Sequence, residues 1–225
     1  MSKRVIVTGG TGNLGRPVVD KLLEQGYEVL CTRRPDDQVT IDGLEMNQVD
    51  LTSERDVESL VQVWKRKFDR IDGLVCLAGG FAMTDIATTK ENDLMHMYRL
   101  NFLTTFFMAS ALYPWMKERG GGTMVFTGAK APLEGGGAGM MPYVLSKSSV
   151  MELARLINET GFTDDIQAAV IAPSIIDTPI NRQYMPDADF EQWVKPEVIA
   201  EHIAFLLSDA SNVLSNPVLK LYHKS

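Results

Sequence analysis

Residues 4–26 read RVIVTGGTGNLGRPVVDKLLEQG, and this stretch decides the fold. A Val/Ile run from Val5 to Val7 meets a glycine-rich turn and passes straight into a segment with apolar residues at Val18, Val19, Leu22 and Leu23, the spacing of one helical face. Gly9, Gly12 and Gly15 stand in a GxxGxxG arrangement between strand and helix. Glycines there tighten the turn, let the backbone approach a pyrophosphate and let the helix pack close to the sheet. The helix N-terminus offers free N–H groups and the positive end of its dipole to the anion. Gly9, Thr11, Gly12, Asn13, Leu14 and Gly15 are therefore candidate dinucleotide contacts, although an ordinary βα turn is the plainer reading of the glycines alone.

The rest of the chain repeats this alternation. YEVLCT, LEMNQVDL, IDGLVCLAGG, GTMVFTG, IQAAVIAP and PVLKLY read as strands; ERDVESLVQVWKRKF, one long segment from Asp93 to Lys117, and a segment from Tyr143 read as helices. Strands of continuous apolar character separated by helices belong to a parallel sheet covered on both faces. The expectation is α/β: one doubly wound Rossmann-type sheet in a single domain over residues 1–225, with no repeat or linker to mark a boundary.

Composition excludes several function classes. A formal charge of −7 and the absence of a long Lys/Arg block argue against a nucleic-acid partner, whose affinity would come mainly from phosphate neutralisation. Cys31 and Cys76 each lie inside an apolar run, which suits buried thiols and not a disulfide framework. His96, His202 and His223 share no ligand spacing, so no metal is expected. No apolar stretch approaches the ~18 residues of a membrane span, and the first apolar run is too short for a signal peptide. A cytoplasmic protein acting on a small molecule, with no membrane partner, follows as the expectation.

After the second strand, a dinucleotide fold that binds the ribose 2′-hydroxyl would carry an acid, and one that binds a 2′-phosphate would carry arginine. Here Thr32 takes the acid's place and Arg33 and Arg34 follow, which favours NADP(H) over NAD(H) unless the arginines merely balance Asp36 and Asp37 in a solvated turn. Asp50 and Leu51, ending the third strand, are placed to flank the adenine. Tyr143 and Lys147 stand at i and i+4, so on a helix both project from one face. A tyrosine hydroxyl, with a pKa near 10, becomes a usable proton donor at neutral pH when an adjacent ammonium stabilises its phenolate.

TGxxGxxG near the N-terminus, CLAGG after the fourth strand, Asn101 in the next helix, Tyr-x-x-x-Lys, and APSIIDTP after the sixth strand resemble, in order and spacing, the short-chain dehydrogenase/reductase family. The resemblance covers nearly the whole chain. It implies that Ala78, Gly79 and Gly80 line the cofactor, that Asn101 holds a water in the proton relay, and that Lys147 also binds the nicotinamide ribose. Pro173 to Thr178 would run along the nicotinamide amide and pyrophosphate, with the Ile176 backbone and the Thr178 hydroxyl in contact.

Two positions depart from the family. Cys76 stands where asparagine is usual, and Gly128 and Ala129 stand where hydroxyls are expected a dozen or so residues before the tyrosine. Thr127 or Lys130 could substitute for the missing serine, or Thr127 caps the strand and Lys130 is solvated. The dihydropteridine reductase branch of the family also dispenses with that serine, and GAKA with its glycine-rich loop and DTPINRQYMPDADFEQW are similar to that branch. The arginines and Asn101 depart from it. The similarity implies a flat acceptor walled by Phe81, Met140, Met141, Tyr184 and Trp193.

The function expected is thus NADP(H)-dependent reduction of a quinonoid dihydropterin or similar conjugated acceptor. A carbonyl reductase and a non-catalytic NADP(H)-binding sensor are the alternatives. Apolar residues on more than one stripe of NFLTTFFMASALYPW suggest a homodimer or homotetramer.

Overall fold

Successive side chains of a strand point to opposite faces, so an uninterrupted apolar run needs cover on both sides. The computed structural model, which describes residues 2–225, meets that need with a seven-stranded parallel sheet among the described residues. Its strands are β1 (Arg4–Thr8), β2 (Glu28–Arg33), β3 (Glu45–Gln48), β4 (Gly73–Cys76), β5 (Gly122–Thr127), β6 (Ile166–Pro173) and β7 (Val218–Leu221), in spatial order β3-β2-β1-β4-β5-β6-β7.

Alternation along the strands divides the core in two. Ile6, Leu74, Met124 and Phe126 pack with Trp64, Met108, Leu112 and Val150 from α2 (Glu54–Lys67), α4 (Thr104–Glu118) and α6 (Met141–Gly161). Val5, Val7, Val75 and Val125 face the other way, onto Val18 and Leu22 of α1 (Gly15–Glu24) and Ile199 and Ile203 of α8 (Pro196–Leu206).

The strand order reverses beside β1, and β1 pairs with both β2 and β4. Crevices outside the carboxyl ends of strands at such a switch point are where open α/β sheets bind ligands. Register brings Thr8 beside Cys76 and Thr127 beside Ile171, so the glycine turn, the CLAGG loop and the end of β5 share one edge.

The single helix expected from Asp93 to Lys117 is instead three pieces: α3 (Glu91–Met97), a π-helical turn (Tyr98–Leu103) and α4. The widened turn displaces carbonyls from the usual i+4 bonding, and two threonines take them up: Thr104 Oγ1 donates to Leu100 O at 2.8 Å and Thr105 Oγ1 to Asn101 O at 3.0 Å. Such turns recur at functional sites. This one turns Asn101 fully inward. Among the described residues no helix is long and apolar enough to cross a membrane.

Candidate active site

The glycine turn is close-packed backbone on backbone. Gly9 has φ +69°, and a Cβ added at Gly15 would lie 2.0 Å from Gly9 O. Gly12 N–H donates to Gly9 O at 3.0 Å, and Leu14 precedes α1 without a side-chain cap. Helix-terminal N–H groups therefore face the crevice uncapped by side chains, the arrangement a pyrophosphate needs. Thr8, which sequence reasoning passed over, ties the turn to the next strand: its buried hydroxyl accepts Leu77 N–H at 3.1 Å and Ala78 N–H at 3.3 Å.

Arg33 and Arg34 stand together at the end of β2 in unlike settings. Arg33 is half-buried and donates from Nη1 to Val39 O at 3.0 Å, whereas the Arg34 side chain is 80% exposed and reaches Asp36 at 3.4 Å. Thr32 is fully buried. At the end of β3, Asp50 turns its carboxylate onto Thr52, accepting from its N–H at 2.9 Å, and Leu51 packs against the core.

Asn101 is a clamp. Its Oδ1 accepts Gly80 N–H at 2.9 Å, and its Nδ2 donates to Gly80 O at 3.1 Å and to Ser146 Oγ at 3.0 Å. Ser146 in turn donates to Tyr143 O at 2.7 Å. The loop of Ala78, Gly79 and Gly80 is thus joined through one amide to the turn of α6 that carries Tyr143. Gly79 admits no side chain, since a Cβ there would lie 2.5 Å from Asn101 Oδ1 and 3.6 Å from Lys147 Nζ. Ser146 was missed because a serine inside a helix ordinarily bonds to its own backbone and reveals nothing.

Lys147 is buried and donates from Nζ to Thr127 O at 2.8 Å. Burial lowers its pKa to about 8, with the neighbouring Cys76 acting the other way. Tyr143 behaves contrary to the sequence expectation. The ammonium lies 6.0 Å from its ring centroid, and burial alone pushes the phenol up to about 12. Desolvation outweighs the positive charge, and the hydrogen bond that Lys147 makes goes to the Thr127 carbonyl.

The missing serine has a packing reason. At Gly128 a Cβ would lie 2.8 Å from Val170 Cγ1 of β6 and 3.2 Å from Met151 Cγ of α6, so a side chain there would crowd both neighbours. Thr127 ends the strand and donates to Cys76 O at 2.8 Å. Lys130 is not solvated: it is partly buried, donates to Ser225 O at 2.7 Å and lies over the Tyr222 ring. Burial pushes the pKa of the Cys76 thiol up to about 12, with the Thr8 hydroxyl, the Lys147 charge and the Thr105 hydroxyl acting the other way.

Beyond Pro173 the chain runs under a parallel bridge between Ile176 and Val194. Thr178 caps α7 (Pro179–Tyr184), accepting Asn181 N–H at 3.3 Å, while Asn181 Nδ2 donates to Ile176 O at 2.8 Å. Arg182 grips Asp177 with two bonds of 2.6 and 2.8 Å and lies over Phe190, which packs on Trp193. Trp193, expected as a pocket wall, is instead buried in this small cluster at 4% exposure. Tyr184 is 76% exposed, and Met140 and Met141 are half-buried. Phe81 packs edge-on to Tyr143 with centroids 5.0 Å apart and stays 58% exposed, so one ring face is open beside the tyrosine.

The "short chain dehydrogenase" family model matches residues 3–189. A dihydropteridine reductase of Dictyostelium discoideum is 28% identical over 212 residues, covering 90% of this chain and 87% of that protein. Among solved structures, ElxO with NADP bound superposes with a TM-score of 0.89 at 24% identity, covering 98% of this chain and 97% of that one. The ligand-free aldohexose dehydrogenase of Thermoplasma acidophilum has a TM-score of 0.88 at 19% identity, covering 99% and 93%. With this match along most of its length and the glycine turn, Asn101, Tyr143 and Lys147 at one edge of the sheet, the chain belongs to the short-chain dehydrogenase family and is an oxidoreductase.

Proposed function

We propose that the protein is an NADP(H)-dependent reductase of a flat, conjugated acceptor, a quinonoid dihydropterin or a close chemical relative. The observation that carries this reading is the pairing of an unbonded Tyr143 hydroxyl with the open face of Phe81 where no serine stands. The dihydropteridine reductase relative supports it. The residues fit a dinucleotide: Gly9 and Gly15 leave a backbone-lined turn, Gly79 leaves room for the Asn101 amide close to Lys147, and Thr178 retains a hydroxyl proton to donate. Bound reduced nicotinamide supplies a hydride.

Tyr143 supplies the proton to the acceptor atom that gains charge, and with a pKa near 12 it begins fully protonated. Lys147 orients the ribose and, as an ammonium, draws the phenol toward ionisation. Asn101 is a positioning residue that holds the Gly79–Gly80 loop to α6. A ring that is already polarised and hydrogen-bonded to solvent needs less orientation than a ketone oxygen, which agrees with the absent serine. NADPH oxidation measured with quinonoid dihydropterin and with a panel of ketones and aldehydes tests the assignment. Turnover confined to ketones makes the protein a carbonyl reductase, and tight NADPH binding without any turnover makes it a sensor.

Arg33 is the expected 2′-phosphate ligand. Titration should show NADPH binding more tightly than NADH, and Arg33→Ala should remove most of the difference, about tenfold for one charge-assisted bond. Equal affinities in the unaltered protein would reject the assignment.

Self-association is expected through α4 and α6. Phe106, Leu145 and Leu156 are exposed there, and Phe106 continues a ring stack from Tyr98 through Phe102. Sedimentation at micromolar concentration should report a dimer or tetramer; a persistent monomer would assign those side chains to the surface of a lone chain.

A further inference from the structure

Lys130 follows Gly128 and Ala129, the positions left without a hydroxyl, and no step of the proton transfer uses it. Its main chain and side chain nonetheless join separate segments at the carboxyl ends of the strands. Lys130 N–H donates to Pro173 O at 3.0 Å, and Nζ, over the Tyr222 ring, donates to Ser225 O at 2.7 Å. Ser174 holds the same segment: its Oγ donates to Tyr222 O at 2.9 Å and lies 2.7 Å from Ser225 Oγ. Residues 222–225 then reach the turn Phe190–Gln192, where Lys224 N–H donates to Gln192 O at 3.3 Å and the His223 ring to Glu191 O at 3.1 Å. His223 stands at φ +50°, a conformation that a residue with a side chain keeps only where its surroundings fix it.

From that turn the connection runs on to the segment after β6. Val194 N–H donates to Ile175 O and Asp177 N–H to Val194 O, each at 2.9 Å. Residues 175–177 are thus tied to 190–194, and that stretch is tied in turn to 222–225. We propose that Lys130 is a positioning residue for the dinucleotide: by anchoring residues 222–225 it holds residues 174–178 in the shape that meets the nicotinamide half before the cofactor arrives. The inference rests on the reading that residues 173–178 run along the nicotinamide. A segment already ordered loses less freedom on binding, so the anchor raises affinity without touching the ligand. The adenosine half, seated on the glycine turn and the end of β2, gains nothing from it.

Lys130→Met keeps most of the aliphatic stem and removes the ammonium, and Lys130→Arg returns a charged donor. Calorimetric titration of each protein with NADPH and with 2′,5′-ADP separates the two halves of the site, because 2′,5′-ADP has no nicotinamide. Lys130→Met should bind NADPH about five- to tenfold more weakly, the scale of one partly exposed charge-assisted hydrogen bond, and bind 2′,5′-ADP as before. Lys130→Arg should recover most of the NADPH affinity. Equal weakening for both probes, weakening for neither, or a Lys130→Arg protein as weak as Lys130→Met overturns the role of Lys130. A second measurement leaves the chain unaltered and so decides the matter even where Lys130→Met fails to fold. Coupling is reciprocal, so amide hydrogen exchange of residues 190–194 and 222–225 should slow with NADPH bound and not with 2′,5′-ADP. Exchange that answers both probes alike, or neither, overturns the proposal. Failure of NADPH to bind the unaltered protein overturns the dinucleotide reading itself, and this proposal with it.

Discussion

Tyr143→Phe is expected to lower turnover of a ketone by about 10²-fold or more, the usual scale of acid/base catalysis, while NADPH affinity is retained. The substitution removes only the ionisable hydroxyl. The ring keeps its edge contact with Phe81, and Ser146 still donates to the residue-143 carbonyl, so the local packing has no reason to change. With a quinonoid pterin the fall should be smaller, because the acceptor is already activated and water can supply the proton. Steady-state kinetics on both substrate classes, with NADPH titration of each protein, make the comparison. Undiminished turnover of every active substrate would remove Tyr143 from the chemistry.

The same kinetics followed against pH bear on Lys147. Its pKa falls from an ordinary 10.5 to about 8, so the ammonium is present below that value and lost above it, while Tyr143 remains protonated until about 12. Reductase kcat/KM should therefore decline as pH rises through about 8. Stability moves the other way: between about 8 and 10.5 the unfolded lysine holds a proton that the folded one has released, so this group's contribution to stability rises with pH. A decline in rate over that window without a loss of folded protein distinguishes titration of Lys147 from unfolding.

The sheet was legible because strand burial leaves a direct mark: VIV, VLC, LVC and VIA need cover on both faces and could hardly be anything but interior strands. The helical segment after the fourth strand was less so. Apolar spacing continues on both sides of Tyr98–Leu103, and no residue type announces a π-helical turn, so the segment read as one helix. The positions of Asn101, Tyr143 and Lys147 were readable from motif spacing, but the direction of the Tyr143 pKa was not. It depends on which neighbour the lysine faces, and Lys147 faces a carbonyl of β5 that is 20 residues away in sequence. Lys130 looked solvated for the same reason, because its partner Ser225 lies 95 residues on. Long-range hydrogen bonds that lock single side chains leave no periodicity to read.

Gly15→Ala should be strongly damaging to both the fold and the dinucleotide site. The added Cβ would lie 2.0 Å from Gly9 O and 2.7 and 2.8 Å from Gly10 Cα and C, all backbone atoms that cannot rotate aside. Alanine favours helix over glycine by ~1 kcal/mol, but that gain is outweighed, since overpacking a filled site costs ~1–3 kcal/mol and sometimes more. Relieving the clash means lifting α1 from the turn, which separates the helix N-terminus from the place where a pyrophosphate would sit. The expected result is a Tm lower by at least ~3 °C, at ~2–4 °C per kcal/mol for a domain of this size, together with a loss of dinucleotide affinity of ~10-fold or more. Gly139→Ala is the matched control: its Cβ would meet nothing within 4 Å and its φ is not positive, so Tm and affinity should stay as they are. Calorimetry and NADPH titration of both variants decide it. A Gly15→Ala protein that melts and binds like the unaltered one would mean that the glycine turn can open without consequence, and that the close packing of Gly15 on Gly9 is not what holds the binding turn in shape.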